Sequence, residues 1–261
     1  MQTNSQKEPL HELNRLSDAK RQSVIIEGPS GVGKTYLSQR YADMLKIDDF
    51  VSVNPKVADI REALDSSIGL STPVMLEIEN LDLGVAGAAY TLLKTLEEPT
   101  PNVYIVITCR NLANIPDTII SRSAVVNVSP PTLNDIDKFG EQLDRVKFTN
   151  VASRLVWQCV RSFSDAELVL NMTNDQIDYY ESLSEVCKFK DSVSNIIWKI
   201  SHYDSNQECV VELAIRSIME LMHNESITRY GIECIRELSR SRISKQATLA
   251  KFVFDSKYCS N

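Results

Sequence analysis

No stretch of this 261-residue chain approaches the roughly 20 consecutive apolar residues that cross a bilayer. The opening MQTNSQKEPLHELNRL also lacks the apolar core of a secretory signal. Both absences predict a cytoplasmic protein without membrane contact. Paired cysteines are missing too. The six, at 109, 159, 187, 209, 234 and 259, form no C-x-x-C, which argues against a four-ligand zinc module. The three histidines, His11, His202 and His223, are isolated, so metal or acid–base roles built on them are disfavoured. There is no excess of basic charge: a formal charge of −7 excludes a surface coated for nucleic acid and leaves only local or shared DNA contacts. What remains, 43% hydrophobic and 24% charged, is the composition of a globular protein long enough for one large domain or two to three small ones.

The first half alternates short apolar runs with helical patterns: SVIIEG, TYLSQRYADML, DIREALDSSI, PVMLEIE, AAYTLLKTLEE, VYIVITC, SAVVNV. Runs too apolar for one-sided burial, separated by helices, predict a parallel sheet covered on both faces. After SPPT (129–132) the β-like runs stop. Apolar residues then recur at helical spacing, as in ASRLVWQCV, with Leu155, Val156, Cys159 and Val160. KFKDS (188–192) reads as a joint before a last bundle containing ECVVELAIRSIMELM and YGIECIRELSR. Its stripe of Val211, Ile215, Ile218 and Leu221 reads as core.

The strongest chemical signal is GPSGVGKT: Gly28, Pro29, Ser30, Gly31, Val32, Gly33, Lys34 and Thr35. It satisfies G-x-x-x-x-G-K-[ST] between a predicted strand and a predicted helix. The glycines let backbone N–H groups and the helix start face a phosphate. Lys34 supplies charge for the β/γ-phosphates and Thr35 a hydroxyl for Mg²⁺, so the expected cofactors are ATP and Mg²⁺. In PVMLEIENLD, Glu79 is placed to hold the metal's water and Asn80 stands where a second carboxylate would polarise the attacking water. Asn80 accepts no proton and only orients. Strand alternation puts Glu77 on the same face as Glu79, and it remains an alternative.

The run AAYTLLKTLEEPTPNVYIVITCRNLANIPDTIISRS (88–123) resembles the AAA+ subunits of sliding-clamp loaders. It is similar above all to the delta-prime and gamma/tau subunits of bacterial DNA polymerase III, and less closely to the small subunits of replication factor C. DIREAL (59–64) resembles the helix before the metal-binding strand in delta-prime. The resemblance is strong over the first half and architectural beyond it. It implies an α/β P-loop (AAA+) domain over 1–131, a helical lid over 132–188 and a C-terminal helical collar for oligomerisation over 189–261. It also implies that Arg122, in TIISRS, is an arginine finger reaching a neighbouring subunit's ATP. The implied partners are the other subunits of a hetero-oligomeric ring, a sliding clamp and primer–template DNA held by the whole assembly.

The sequence departs from the family pattern at five places. Ser123 replaces the family's cysteine, and Asn80 replaces its catalytic glutamate. Thr108, Arg110 and Asn111 compete for the sensor position at the end of VYIVITC, and Asp165 or Ala166 falls where a second sensor arginine is expected. The interval before the metal-binding strand also lacks the cysteines of the zinc module that many bacterial relatives carry, as in a trimmed, divergent or phage-encoded version. The expected activity is that of a DNA-replication clamp-loader subunit that binds ATP and hydrolyses it weakly or not at all on its own. The alternatives are an active motor subunit in which Glu77 or Glu79 compensates for Asn80, and a helicase loader or regulatory nucleotide switch.

Overall fold

The computed structural model describes residues 4–85, 87–142, 160–171, 215–216, 219, 225–238, 247–248 and 251–252. The chain divides into two compact units, Met1–Asp135 and Ile136–Asn261.

The first unit contains five parallel strands: β1 (Ser23–Glu27), β2 (Asp49–Val53), β3 (Val74–Ile78), β4 (Val103–Cys109) and β5 (Ala124–Asn127). Their order across the sheet is β2-β3-β4-β1-β5. Helices α1 (Asn4–Asp18), α2 (Lys34–Leu45), α3 (Val57–Ser67), α4 (Ala88–Glu97) and the short α5 (Asp117–Ile120) accompany them. Alternation within the strands builds two cores. Val24, Ile26, Met75, Val106 and Val126 pack with Leu13 of α1 and with Leu37 and Tyr41 of α2. Ile25, Leu76, Ile78, Ile105 and Ile107 pack on the other face with Ile60 of α3 and with Leu92 and Leu96 of α4. Central strands are therefore apolar on both faces, which is why VMLEI and VYIVITC read as continuous runs.

Two elements left no clear sequence signal. DFVSV forms the edge strand β2, largely exposed, where little burial is needed and the apolar pattern is correspondingly thin. The opening residues form α1, whose Pro9 sits within the helix.

In the second unit the described segments are helical. Helix α6 (Leu133–Gln142) follows Thr132 and straddles the division between units. Helix α7 (Phe163–Leu170) is capped by the Ser162 hydroxyl, which accepts from Asp165 N at 3.1 Å. Helix α8 (Glu225–Leu238) buries Ile227 and Cys234, while Ile215 of the expected apolar stripe is also fully buried. Val211, Ile218, Leu221, the KFKDS joint and most of ASRLVWQCV lie outside the described residues.

Candidate functional site

The P-loop leaves the C-terminal end of β1, where the strand order reverses: β1 follows α1 in the chain but lies between β4 and β5. Ligands of open parallel sheets bind at such a crevice. Gly33 caps α2 with φ 89°, a left-handed conformation that a side chain would strain. Gly28 is fixed by contact instead: a Cβ there would meet Val128 O at 2.7 Å. Its N–H donates to Cys109 O at 3.1 Å, joining the first loop residue to the end of β4.

Lys34 is buried, and its Nζ donates to Gly28 O at 2.7 Å and Pro29 O at 2.8 Å. Burial lowers its pKa, the nearby Arg110 charge lowers it further, and Asp82 and Glu77 pull the other way. The Thr35 side chain is exposed at the helix start. Loop amides, the helix N-terminus, Lys34 and Thr35 are thereby gathered where they could hold a phosphate, with a hydroxyl that could reach a metal.

Glu79 and Asn80 stand at the end of β3. The Glu79 carboxylate accepts the Ser52 hydroxyl from β2. Asn80 is in the left-handed region, φ 43°, a conformation asparagine tolerates better than most residues. Its backbone N donates to Thr108 Oγ1 at 2.9 Å. Thr108 thus holds the turn after β3, and its hydroxyl is committed there. Asp82, unremarked in the sequence, organises the C-terminal end of β4: its Oδ2 accepts from Arg110 N at 3.1 Å and Asn111 N at 3.3 Å. Glu27 likewise accepts from Leu112 N at 2.8 Å. The sequence carried a hint of Asp82 only in being an acid two residues beyond a strand-ending asparagine.

Glu77 is the outlier. It is 0% exposed on the face of β3 that meets α2, and neither carboxylate oxygen has a hydrogen-bond partner. Desolvation raises its pKa; the hydroxyls of Ser38, Thr35 and Ser52 offset part of that shift without bonding to it, and Glu79 adds to it. A raised carboxyl pKa means that folding takes up a proton. The neutral acid contributes its stability below the ordinary carboxyl range near 4.3, and that contribution is lost as pH climbs through the folded-state value. Thermal unfolding should therefore show wild-type stability falling as pH rises above the ordinary carboxyl range and a flatter profile in Glu77→Gln, which gains about 1–3 kcal/mol at the upper end. Parallel profiles would mean that the carboxyl is solvated.

Arg122 lies at the other end of the sheet. It precedes β5, whereas Gly28 follows β1, and the two strands run parallel in register from Val24↔Ala124 to Glu27↔Asn127. A strand of this length separates them by on the order of 13 Å. Arg122 pairs with Glu97 of the LLKTLEEP segment at 2.8 Å and donates to Thr118 O at 2.8 Å. The adjoining Ser123 is buried, with its hydroxyl 2.6 Å from that of Ser23, so the small residue in the cysteine's place ties TIISRS to β1. Near α7, Asp165 accepts from Arg161 N and pairs with Arg216 at 3.2 Å, and Ala166 is fully buried. Neither supplies a sensor cation.

Residues 56–132 match the family model described as DNA polymerase III, delta subunit. The chain resembles the AAA+ subunits of sliding-clamp loaders. The DNA polymerase III subunit gamma of Buchnera aphidicola subsp. Baizongia pistaciae is 31% identical over 99 residues, 37% of this chain and 26% of that relative. The matched stretch thus spans about a quarter of the relative's length. Among solved structures, a DNA polymerase III gamma subunit-related protein of Thermotoga maritima superposes with a TM-score of 0.59 at 16% identity, covering 97% of this chain and all of that one. The Holliday junction branch migration motor RuvB of Thermotoga maritima gives 0.51 at 16% identity, covering 98% and 83%. The fold is that of AAA+ P-loop proteins. Helix α4, which carries most of LLKTLEEP, contacts both α3 and α5, the latter within the segment carrying TIISRS. Among the described residues, no helix is long and apolar enough to cross a membrane.

Proposed function

We propose that this chain is a clamp-loader subunit of the delta-prime type, acting in the cytoplasm of a bacterium or encoded by its phage. It binds ATP on Gly28–Thr35 with Mg²⁺ held by Thr35 and, through water, Glu79. It donates Arg122 to a neighbour's nucleotide, and the hetero-oligomeric ring so formed loads a sliding clamp onto primer–template DNA. The nucleotide domain spans 1–131, the lid 132–188 and the oligomerisation domain 189–261. One observation carries the reading: a complete phosphate cradle and a positioned arginine occupy opposite ends of the same sheet. A monomer cannot use the pair together, whereas a ring of such subunits can.

Hydrolysis by the chain itself is weak in this reading. Asn80 takes no proton, and Glu77, buried with its neutral form favoured, is in no position to polarise water. The burial of Glu77 thus supports a nucleotide-holding subunit over an active motor. The purified chain should show almost no steady-state ATP turnover, and Asn80→Glu should raise it, a positioned general base being worth about 10²-fold or more. Robust turnover by the unmodified chain would establish the motor instead. The loader role itself is tested by copurification: affinity-tagged full chain should bring down a sliding clamp and ring partners, and an assembly lacking the clamp would point to a helicase loader or a nucleotide switch.

A further inference from the structure

At the N-terminal edge of the sheet, away from the P-loop, a cavity of about 380 Å³ opens beside the starts of β1 and β4 and the ends of α1 and α4. That size falls in the range of ligand pockets, about 300–1,000 Å³. Of the described residues that line it, three are cations, Lys20, Arg21 and Arg122, and none is an acid. The sequence singles out only the third of them.

Lys20 and Arg21 sit on a fixed stretch of chain. Helix α1 closes in a Schellman motif: Lys20 N donates to Ser17 O at 2.9 Å and Arg21 N to Leu16 O at 3.0 Å. The turning residue of that motif is usually glycine, because it lies in the left-handed region; here it is Lys20, at φ 49°. A side chain kept at a strained position points to a use for that side chain. Capping is not the use, since backbone amides already satisfy those helix carbonyls. Neither Lys20 nor Arg21 makes a side-chain hydrogen bond or ion pair with a described residue.

The rim around them is braced. Arg21 O accepts from the hydroxyl of buried Tyr41 at 2.6 Å, and Gln22 Nε2 donates to Thr100 O at 3.0 Å and Val103 O at 3.1 Å. The Ser23–Ser123 hydroxyl pair ties the same stretch to the residue after Arg122. Opposing charge is limited: Glu97 answers Arg122 at 2.8 Å, and the C-termini of α1 and α4 bring about half a negative charge each. Lys20 and Arg21 outweigh what the helix ends supply, so the cavity stays positive. Arg122 spends Nη1 on Thr118 O and Ser121 Oγ and one Nη2 hydrogen on Glu97, which leaves it Nε–H and one further donor. Two guanidinium groups and an ammonium suit an anion whose oxygens are spread over several centres, as in linked phosphates.

We propose that Lys20 and Arg21 join Arg122 in a receptor for a chain of phosphoryl groups, a second phosphate site at the opposite end of the sheet from the P-loop. Two sources share that chemistry. Where Arg122 serves a neighbouring subunit, the phosphates are those of the neighbour's nucleotide, and this source rests on the function proposed above. The other source is free polyphosphate. In the ring, Lys20 and Arg21 hold the phosphates in place while Arg122 meets the group being transferred.

Isothermal titration of the full chain with inorganic tripolyphosphate, at low salt and without divalent cations, tests the receptor. The P-loop competes for the same probe, so Lys34→Ala serves as the parent; it should bind one equivalent where the wild type binds two. Adding Arg21→Ala should weaken the remaining binding about tenfold or more, the worth of one charge-assisted hydrogen bond, and Arg21→Lys should keep most of it. Lys20→Gly should weaken it by a similar factor while raising the melting temperature by about 2 °C or more, because glycine relieves the left-handed turn. A lysine that served the turn alone would leave affinity unchanged. Thermal unfolding verifies each fold, and if Arg21→Ala or Lys20→Gly fails to fold, the other decides. If Lys34→Ala fails to fold, a fall from two equivalents to one on Arg21→Ala in the wild type decides.

No tripolyphosphate binding by Lys34→Ala, or undiminished binding in Arg21→Ala and Lys20→Gly, overturns the receptor. Two equivalents bound by Lys34→Ala overturn the P-loop assignment instead, and Arg21→Ala still judges the cavity. ATPase of reconstituted assemblies then identifies the source. A fall in turnover with Arg21→Ala assigns the phosphates to the neighbour's nucleotide; unchanged turnover in an intact assembly assigns them to free polyphosphate. Full turnover in Arg122→Ala, with tripolyphosphate still bound by Lys34→Ala, overturns the arginine finger and not the receptor.

Discussion

Lys34→Ala is expected to abolish ATP binding and to leave the domain folded. The ammonium is the cation at the centre of the cradle, pointed inward at Gly28 O and Pro29 O rather than at solvent. Those carbonyls hold it in place, and an arriving triphosphate offers it charged acceptors in exchange for neutral ones. Each hydrogen bond to a charged group is worth about 1.5–3 kcal/mol, and Lys34 has room for more than one. The expected loss of affinity is therefore about 100-fold or more. The cost to the fold is smaller. Lys34 belongs to neither apolar core, and two loop carbonyls lose a neighbour, for about 1–3 kcal/mol. Equilibrium binding of a fluorescent ATP analogue reads the first effect and thermal unfolding the second. An unchanged affinity in a folded variant would remove the P-loop from the functional account. A loss of both folding and binding would make Lys34 a structural residue of the loop.

Arg122→Ala should give the opposite pattern: the chain's own nucleotide affinity is expected to stay the same and hydrolysis by the complete assembly to collapse. The first half follows from the sheet. Arg122 lies before β5 and the cradle lies after β1, so the side chain does not reach its own nucleotide. The pair with Glu97 is half-exposed on both sides, and such pairs contribute about 0–1 kcal/mol, so stability barely changes. The second half follows from the chemistry of a guanidinium brought to a transferring phosphoryl group, worth about 10³ to 10⁵ in turnover when supplied in trans. Glu97→Ala is the natural companion. It releases the arginine without removing it and should keep most of the turnover. DNA- and clamp-stimulated ATPase of reconstituted assemblies, with assembly size checked, separates the cases. Full activity in an intact Arg122→Ala assembly would reduce this residue to a surface cation.

Local rules carried a large part of this protein in the sequence alone. GPSGVGKT was legible because a phosphate cradle needs its glycines, lysine and hydroxyl at fixed spacing within one turn of chain. The central strands were legible because burial on both faces leaves an unbroken apolar run. TIISRS and LLKTLEEP were legible as a resemblance, and the fold subsequently put their residues together: Arg122 meets Glu97 although the two are 25 positions apart.

Contacts across the sheet belonged to the tertiary structure. Glu77 and Glu79 share a strand face in the sequence. Only the packing of α2 over β3 and of β2 beside it makes one a buried, unpartnered acid and leaves the other at the rim with Ser52. Likewise Thr108, Arg110 and Asn111 were equivalent candidates at the end of a strand. The neighbouring strand's turn separated them by engaging the Thr108 hydroxyl through Asn80 N and the Arg110 and Asn111 amides through Asp82. Spacing along a chain specifies which groups one turn brings together; which charges are desolvated, paired or left facing a ligand depends on strands that are neighbours in the sheet and distant in sequence.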